Sequence, residues 1–132
     1  MRTRTKARQR AAEALFESEQ RQVSVAEVFG RNPDVNEYAV TLATHVEENL
    51  DRIDEVIATY AQQWSPERMP AVDRAIIRVA VGEFILRPDL DSAVIISEAV
   101  EIASSLSTDE SGKFINGLLG QIAEIRESLG IN

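Results

Sequence analysis

The 132-residue chain contains no cysteine and a single histidine, His45. Those absences exclude disulfides, thiolate catalysis, Cys-ligated zinc and a multi-His metal site within one chain. Aromatic residues make up only 5% of the chain, so the core has to be aliphatic. The six glycines are scattered and form no phosphate-cradling loop. No apolar run approaches the roughly 20 residues of a membrane span. The opening MRTRTKARQR is charged with no apolar stretch behind it, unlike a secretory signal. A cytoplasmic setting is expected, with no membrane association and no cofactor.

Basic charge is scarce everywhere except at the start. The net charge is -8, yet residues 1–10 hold Arg2, Arg4, Lys6, Arg8 and Arg10 and no acid. The remaining 122 residues hold nine basic side chains against 22 acidic ones. An acidic body repels nucleic acid, and a short basic arm attracts it. Twelve of the 14 basic residues are arginine, the side chain suited to bidentate phosphate contact.

What is present is helical periodicity from end to end, with no sustained period-two alternation. The expected architecture is all-α, a compact bundle of six to seven helices forming one domain over residues 1–132. The first helix runs from about Thr3 or Thr5 to Gln20, with Ala7, Ala11, Ala14, Leu15 and Ser18 inward. Its cations lie outside that face, and positive charge at a helix start opposes the dipole by up to about 1 kcal/mol each. Helix stability does not explain that placement, whereas a phosphate partner does. Further helices are expected over 25–31, capped by Ser24, over 35–50, and from an Asp51 cap through Trp64. Pro70 opens the most apolar helix, 70–86, whose wide stripe marks it as central. The last two helices start at Asp91 or Ser92 and at Ser107-Thr108-Asp109-Glu110. Gly117 either admits a neighbouring helix or is tolerated without purpose.

Catalytic constellations are lacking. A Ser-His-Asp triad would need His45, which sits among Leu42 and Val46 on a helix. Glu83, within the central helix, is expected to be buried against a helix start or an arginine such as Arg78. Ser111-Gly112-Lys113-Phe114 is the other informative patch. Phe114 lies at the edge of its helix's apolar stripe beside Lys113, where free N–H groups of a helix start suit a nucleotide. Sideways packing of Phe114 on another helix is the alternative.

The stretch WSPERMPAVDRAIIRVAVGEF, followed by AVIISEAVEIASSLSTDESGKFINGLLGQ, resembles the NusB family of transcription antitermination factors. KFINGLL with EAVEIA upstream is the specific part, and ARQRAAEALFE is similar to the family's arginine-rich first helix. Residues 20–63 match only in helical pattern, and Ser97 stands where many members carry Asn. The resemblance implies an all-helical fold of two packed subdomains and no enzymatic activity. It implies partnership with the ribosomal protein NusE, joint binding of single-stranded boxA RNA, and entry into the antitermination complex of RNA polymerase on ribosomal RNA operons.

Transferred residue by residue, the resemblance places RNA contacts at Arg4, Lys6, Arg8, Arg10, Phe16, Asp73, Glu110, Ser111, Lys113 and Phe114. Phe16 lacks the hydroxyl of the tyrosine some members have. Asp73 and Arg74 fall where RNA and the protein partner meet. Two other expectations compete: a NusB-like accessory domain of a ribosomal RNA cytosine methyltransferase, and a homo-oligomeric interaction protein, such as a homodimer, with the RNA face covered.

Overall fold

The computed structural model describes residues 3–30, 32, 35–61 and 64–129. Arg2, Arg31 and Pro33, which entered the reading of the sequence, lie outside the described residues. Helix α1 (Thr3–Arg21) carries four alanines on its buried side and neither glycine nor proline. It ends where Gln22 turns to a positive φ of 56°. There Val23 N–H reaches Ser18 O at 3.1 Å and Gln22 N–H reaches Glu19 O at 3.4 Å. That pair of bonds is a Schellman stop made with glutamine instead of glycine.

Helix α2 (Val25–Phe29) is capped by Ser24, as its spacing to Glu27 predicts. It stops two residues before the expected end. Helix α3 (Glu37–Glu48) starts later than expected, because Asn36 takes the amides of Tyr38 and Ala39 and so sets the cap. Helix α4 (Leu50–Tyr60) begins at Asn49, so Asp51 falls in the first turn and is not the cap. It ends well before Trp64, which stands outside any helix and is 43% exposed. A single 3-10 turn, Pro66–Arg68, leads into α5 (Ala71–Leu86).

Helix α5 is the axis of the fold, with ten buried residues. Helices α1 to α3 pack with one another, and α1 and α3 pack against α5, while α4, α6 (Ser92–Leu106), α7 (Asp109–Glu124) and α8 (Arg126–Leu129) pack on it elsewhere. This division into two groups agrees with the expected subdomains. Ile125 interrupts the last helix, so eight α-helices are described instead of seven. The break aims Arg126 at the end of α5. Its guanidinium donates to the carbonyls of Phe84, Arg87 and Leu90 and to Ser92 Oγ, satisfying acceptors a helix end leaves open.

The core is aliphatic as predicted, with Phe29 and Phe84 the only buried aromatic side chains described. Close approach occurs at Gly82, where an added Cβ would sit 2.5 Å from Val46 Cγ2. Gly117 has open space instead, so it admits no neighbour.

Candidate nucleic-acid interface

The arm's spacing predicts cations on the outside of α1, and for three of them the structure agrees. Arg4 and Lys6 are exposed and Arg10 is partly so. Arg4 lays its guanidinium 3.9 Å above the Tyr38 ring, and Arg10 lies 5.2 Å above Phe29. Such stacking fixes a guanidinium plane and leaves its edge free for an anion. Lys6 and Arg10 line an open cleft of about 480 Å³ with Gln9, Glu13 and Asn36. The first turn of α1 contains no acid, and Glu13 is the one carboxylate of the helix that lines this cleft.

Arg8 is a correction. It is 5% exposed and points into the protein. Its Nε donates to Glu83 Oε1 at 2.7 Å and its Nη1 to Glu98 Oε1 at 2.7 Å. Thr5 Oγ1 donates to the same Glu98 oxygen, and Tyr38 Oη donates to Glu83 Oε2 at 2.5 Å. Glu83 is therefore the buried, paired carboxylate expected, with Arg8 as partner in place of Arg78. Burial tends to lower the Arg8 pKa, but the bond and charge of Glu83 and the charge of Glu98 outweigh it and raise it. A phosphate reaching Arg8 would have to expose two carboxylates. Arg8 lies four residues after Arg4, a spacing that alone would place it on the same outer row, but the small Ala7, Ala11 and Ala12 let its stem pass into the core.

Arg78 serves elsewhere, pairing with Asp54 and Glu19. Arg74 is a second correction. It donates to Pro66 O at 2.8 Å, Met69 O at 2.9 Å and both carboxylate oxygens of Glu19. Two of these four hydrogen bonds hold the entry into α5 and two reach α1, and the Arg74 side chain is 12% exposed. It ties α1 to the α4–α5 connection and offers a partner little. The hydrogen bond from Arg74 holds the Glu19 carboxyl below its ordinary pKa.

Phe16 is half-buried in an apolar groove with Ala12, Val72, Ala75 and Leu106. The next residues along α5 and after α6, Asp73 and Ser107, line a second and larger cleft of about 610 Å³. Its other walls include Trp64, Pro70, Glu110, Ser111 and Phe114. Phe16 and this cleft are thus adjacent. Arg4 lies twelve residues up α1 from Phe16, about 18 Å at the helical rise.

Within the second cleft Ser111 Oγ donates to Asp73 Oδ2 at 2.7 Å. Asp73 is 3% exposed, and its Oδ1 is buried without a partner. Glu110 and Lys113 are exposed and face each other at 3.4 Å. Phe114 is neither free nor core. It is half-buried, with its ring centroid 5.5 Å from that of Trp64 at a 48° tilt. The helix-start argument needs correction, since Thr108 Oγ1 takes the Ser111 amide at 3.1 Å and Asp109 and Glu110 occupy the first turn. An acidic, capped start is a poor phosphate site. The sequence reading missed Trp64 by extending α4 through it. Ser65-Pro66 directly after it was the available signal, because a residue before proline leaves the helical region.

Among the described residues no three His, Cys, Asp or Glu side chains are grouped to hold a metal ion, and no helix is long and apolar enough to cross a membrane.

Comparison with known proteins covers nearly the whole chain. The sequence model of the NusB family matches residues 5–124. The chain belongs to the NusB family. It is 50% identical to the transcription antitermination protein NusB of Kineococcus radiotolerans, with 98% of each chain covered. Among solved structures it matches T. maritima NusB with a TM-score of 0.84 and 33% identity, covering 94% of this chain and 93% of that one. It also matches a crystal structure of the antitermination factors NusB and NusE in complex with dsRNA, with a TM-score of 0.82 and 26% identity over 94% and 98% of the two chains. The named relative is a transcription antitermination protein, and 98% of its length is covered, which favours that role over a methyltransferase accessory domain.

Proposed function

We propose that this NusB-family chain acts as a transcription antitermination factor. It pairs with NusE, and together they bind boxA-type RNA on nascent ribosomal RNA transcripts in the cytoplasm as part of the RNA polymerase antitermination complex. The observation that carries the reading is the match over 94% of the chain to a NusB–NusE–RNA assembly. Three outward cations on α1 supply phosphate contacts, while Phe16, on the α5–α6 side of the same helix, and the Trp64–Phe114 cleft supply apolar surface. Asp73, Glu110, Ser111, Lys113 and Phe114 form the second half of the proposed RNA site.

An acidic body limits what three cations hold alone, which gives a basic second subunit a physical purpose. The RNA of the neighbouring complex is double-stranded, whereas an aromatic cleft suits an unstacked base. The test is a titration with a boxA-like single strand, its scrambled version and a duplex, each with and without NusE. Tightest binding is expected for the boxA-like strand with NusE. Equal binding of scrambled and boxA-like strands in both settings would overturn the reading. A light-scattering mass in the same buffers would expose a homodimer that covers the RNA face.

A further inference from the structure

The chain has only four Phe, two Tyr and one Trp, yet two of these rings lie under arginines of the arm. Tyr38, in the first turn of α3, carries the Arg4 guanidinium at 3.9 Å, and Phe29, the last residue of α2, carries that of Arg10 at 5.2 Å. A planar guanidinium can stack in this way while its N–H edge still forks onto phosphate, which an ammonium cannot do. The two rings are held differently. Phe29 is a core side chain, 4% exposed. Tyr38 is half-buried, and its hydroxyl donates to Glu83 Oε2 at 2.5 Å. Glu83 in turn accepts from Arg8 Nε at 2.7 Å. Burial and the Glu83 carboxylate push the Tyr38 hydroxyl above its ordinary pKa, so it remains a donor. Arg87 lies 5.8 Å from the same ring, but Asp89 takes its guanidinium edge at 2.7 and 2.9 Å. Arg4 is exposed, and a fixed ring beneath it reduces the side-chain entropy lost when it meets an anion.

Resting on the RNA-binding reading above, we infer that Tyr38 is a positioning residue for RNA: anchored to the core through Glu83 and Arg8, its ring holds the Arg4 guanidinium in the pose that meets phosphate. Tyr38 itself touches no RNA. Arg8 then serves the interface from inside, through Glu83 and Tyr38, and not by a phosphate contact of its own. The signature of such a role is dependence: Tyr38 matters to RNA only while Arg4 is present.

The test is an anisotropy titration of a labelled boxA-like single strand into the full chain, with and without NusE. The variants are Tyr38→Leu, Tyr38→Phe, Arg4→Ala and the Tyr38→Leu, Arg4→Ala double variant, each first shown to be folded by circular dichroism. Tyr38→Leu should weaken binding about two- to fivefold, the scale of a cation–π contact at an exposed site. In the Arg4→Ala background the same change should cost no more than about 1.5-fold. Tyr38→Phe restores a ring under Arg4 and should recover most of the loss. Equal losses from Tyr38→Leu in both backgrounds, or no loss in either, would overturn the inference and leave the RNA-binding reading standing. A loss with Tyr38→Phe as large as with Tyr38→Leu would do the same, since the ring would then not be what acts. Should Tyr38→Leu fail to fold, the wild type decides by nuclear Overhauser contacts between the Arg4 side chain and the Tyr38 ring. They are expected in the free chain and in the RNA complex, and their loss on RNA binding would overturn the inference. No binding of the strand by wild type, with or without NusE, would overturn both.

Discussion

The arm of α1 and the cleft between α5 and α7 lie on one molecule but are built on opposite charge. The arm presents Arg4, Lys6 and Arg10 outward with no acid in its first turn. The cleft is lined by Asp73 and Glu110 with two aromatic rings and no cation among the described lining residues, with Lys113 facing Glu110 beside it. The first suits a polyanion regardless of sequence, and the second suits a base while repelling the backbone around it. A short acidic protein can in this way bind RNA without becoming generally sticky towards duplex nucleic acid.

The sharpest way to break the comparison is inside the arm itself. Arg8→Ala removes the guanidinium that Glu83 and Glu98 share in the core and should cost about 3 to 5 kcal/mol in stability. Arg4→Ala, at the second described residue of α1 and exposed, should change stability by no more than about 0.5 kcal/mol. Urea denaturation of both variants checks this, and equal effects would return Arg8 to the phosphate-binding row.

In the cleft helix the same contrast falls on neighbours. Ile115 is fully buried, so Ile115→Ala should cost about 2 to 5 kcal/mol of stability. Phe114→Ala should cost less stability than that and weaken RNA binding by about 1 to 3 kcal/mol. If Phe114→Ala destabilises as much as Ile115→Ala and the folded fraction binds normally, the cleft is packing only.

Between the two regions stands the Glu19–Arg74 link. The folded Glu19 carboxyl titrates below its unfolded value because Arg74 donates to it. Its contribution is therefore complete above the unfolded value and is lost as pH falls below about 4.3. Denaturation midpoints measured down through that range should fall less steeply for Glu19→Gln than for wild type. A parallel decline would remove this link from the acid response. The smallest effect is expected at Gly117, where no atom lies within 4 Å of an added Cβ. Gly117→Ala should stabilise the chain by up to about 1 kcal/mol and raise its thermal midpoint, whereas Gly82→Ala should lower it.

The helices, the aliphatic core and the central place of α5 were legible because periodicity and proline placement determine them. Cap positions were legible where Ser24 or Thr108 had its partner amide at the right spacing. They shifted where the competing Asn36 and Asn49 were also available. The arm was legible as charge, but the inward turn of Arg8 was not. Its partners, Glu83 and Glu98, are 75 and 90 residues away, and no local rule links them. Arg74 reads as surface charge in the sequence and holds carbonyls in the fold for the same reason. The cleft was half-legible: Phe114 stood at a stripe edge, whereas Trp64 was hidden by a helix that stops short of it. The unpartnered oxygen of Asp73 is a fact of three dimensions only.

With Arg8 turned inward, three cations of the arm, and not four, are left to meet phosphate. The most direct measurement is the salt dependence of single-stranded RNA binding by wild type and by the Arg4→Ala, Lys6→Ala, Arg10→Ala triple variant. At about -0.7 per phosphate on single strands, the log–log slope should flatten by about 2, with the urea midpoint unchanged. An unchanged slope would contradict the account, because it would place the phosphate contacts outside the arm altogether.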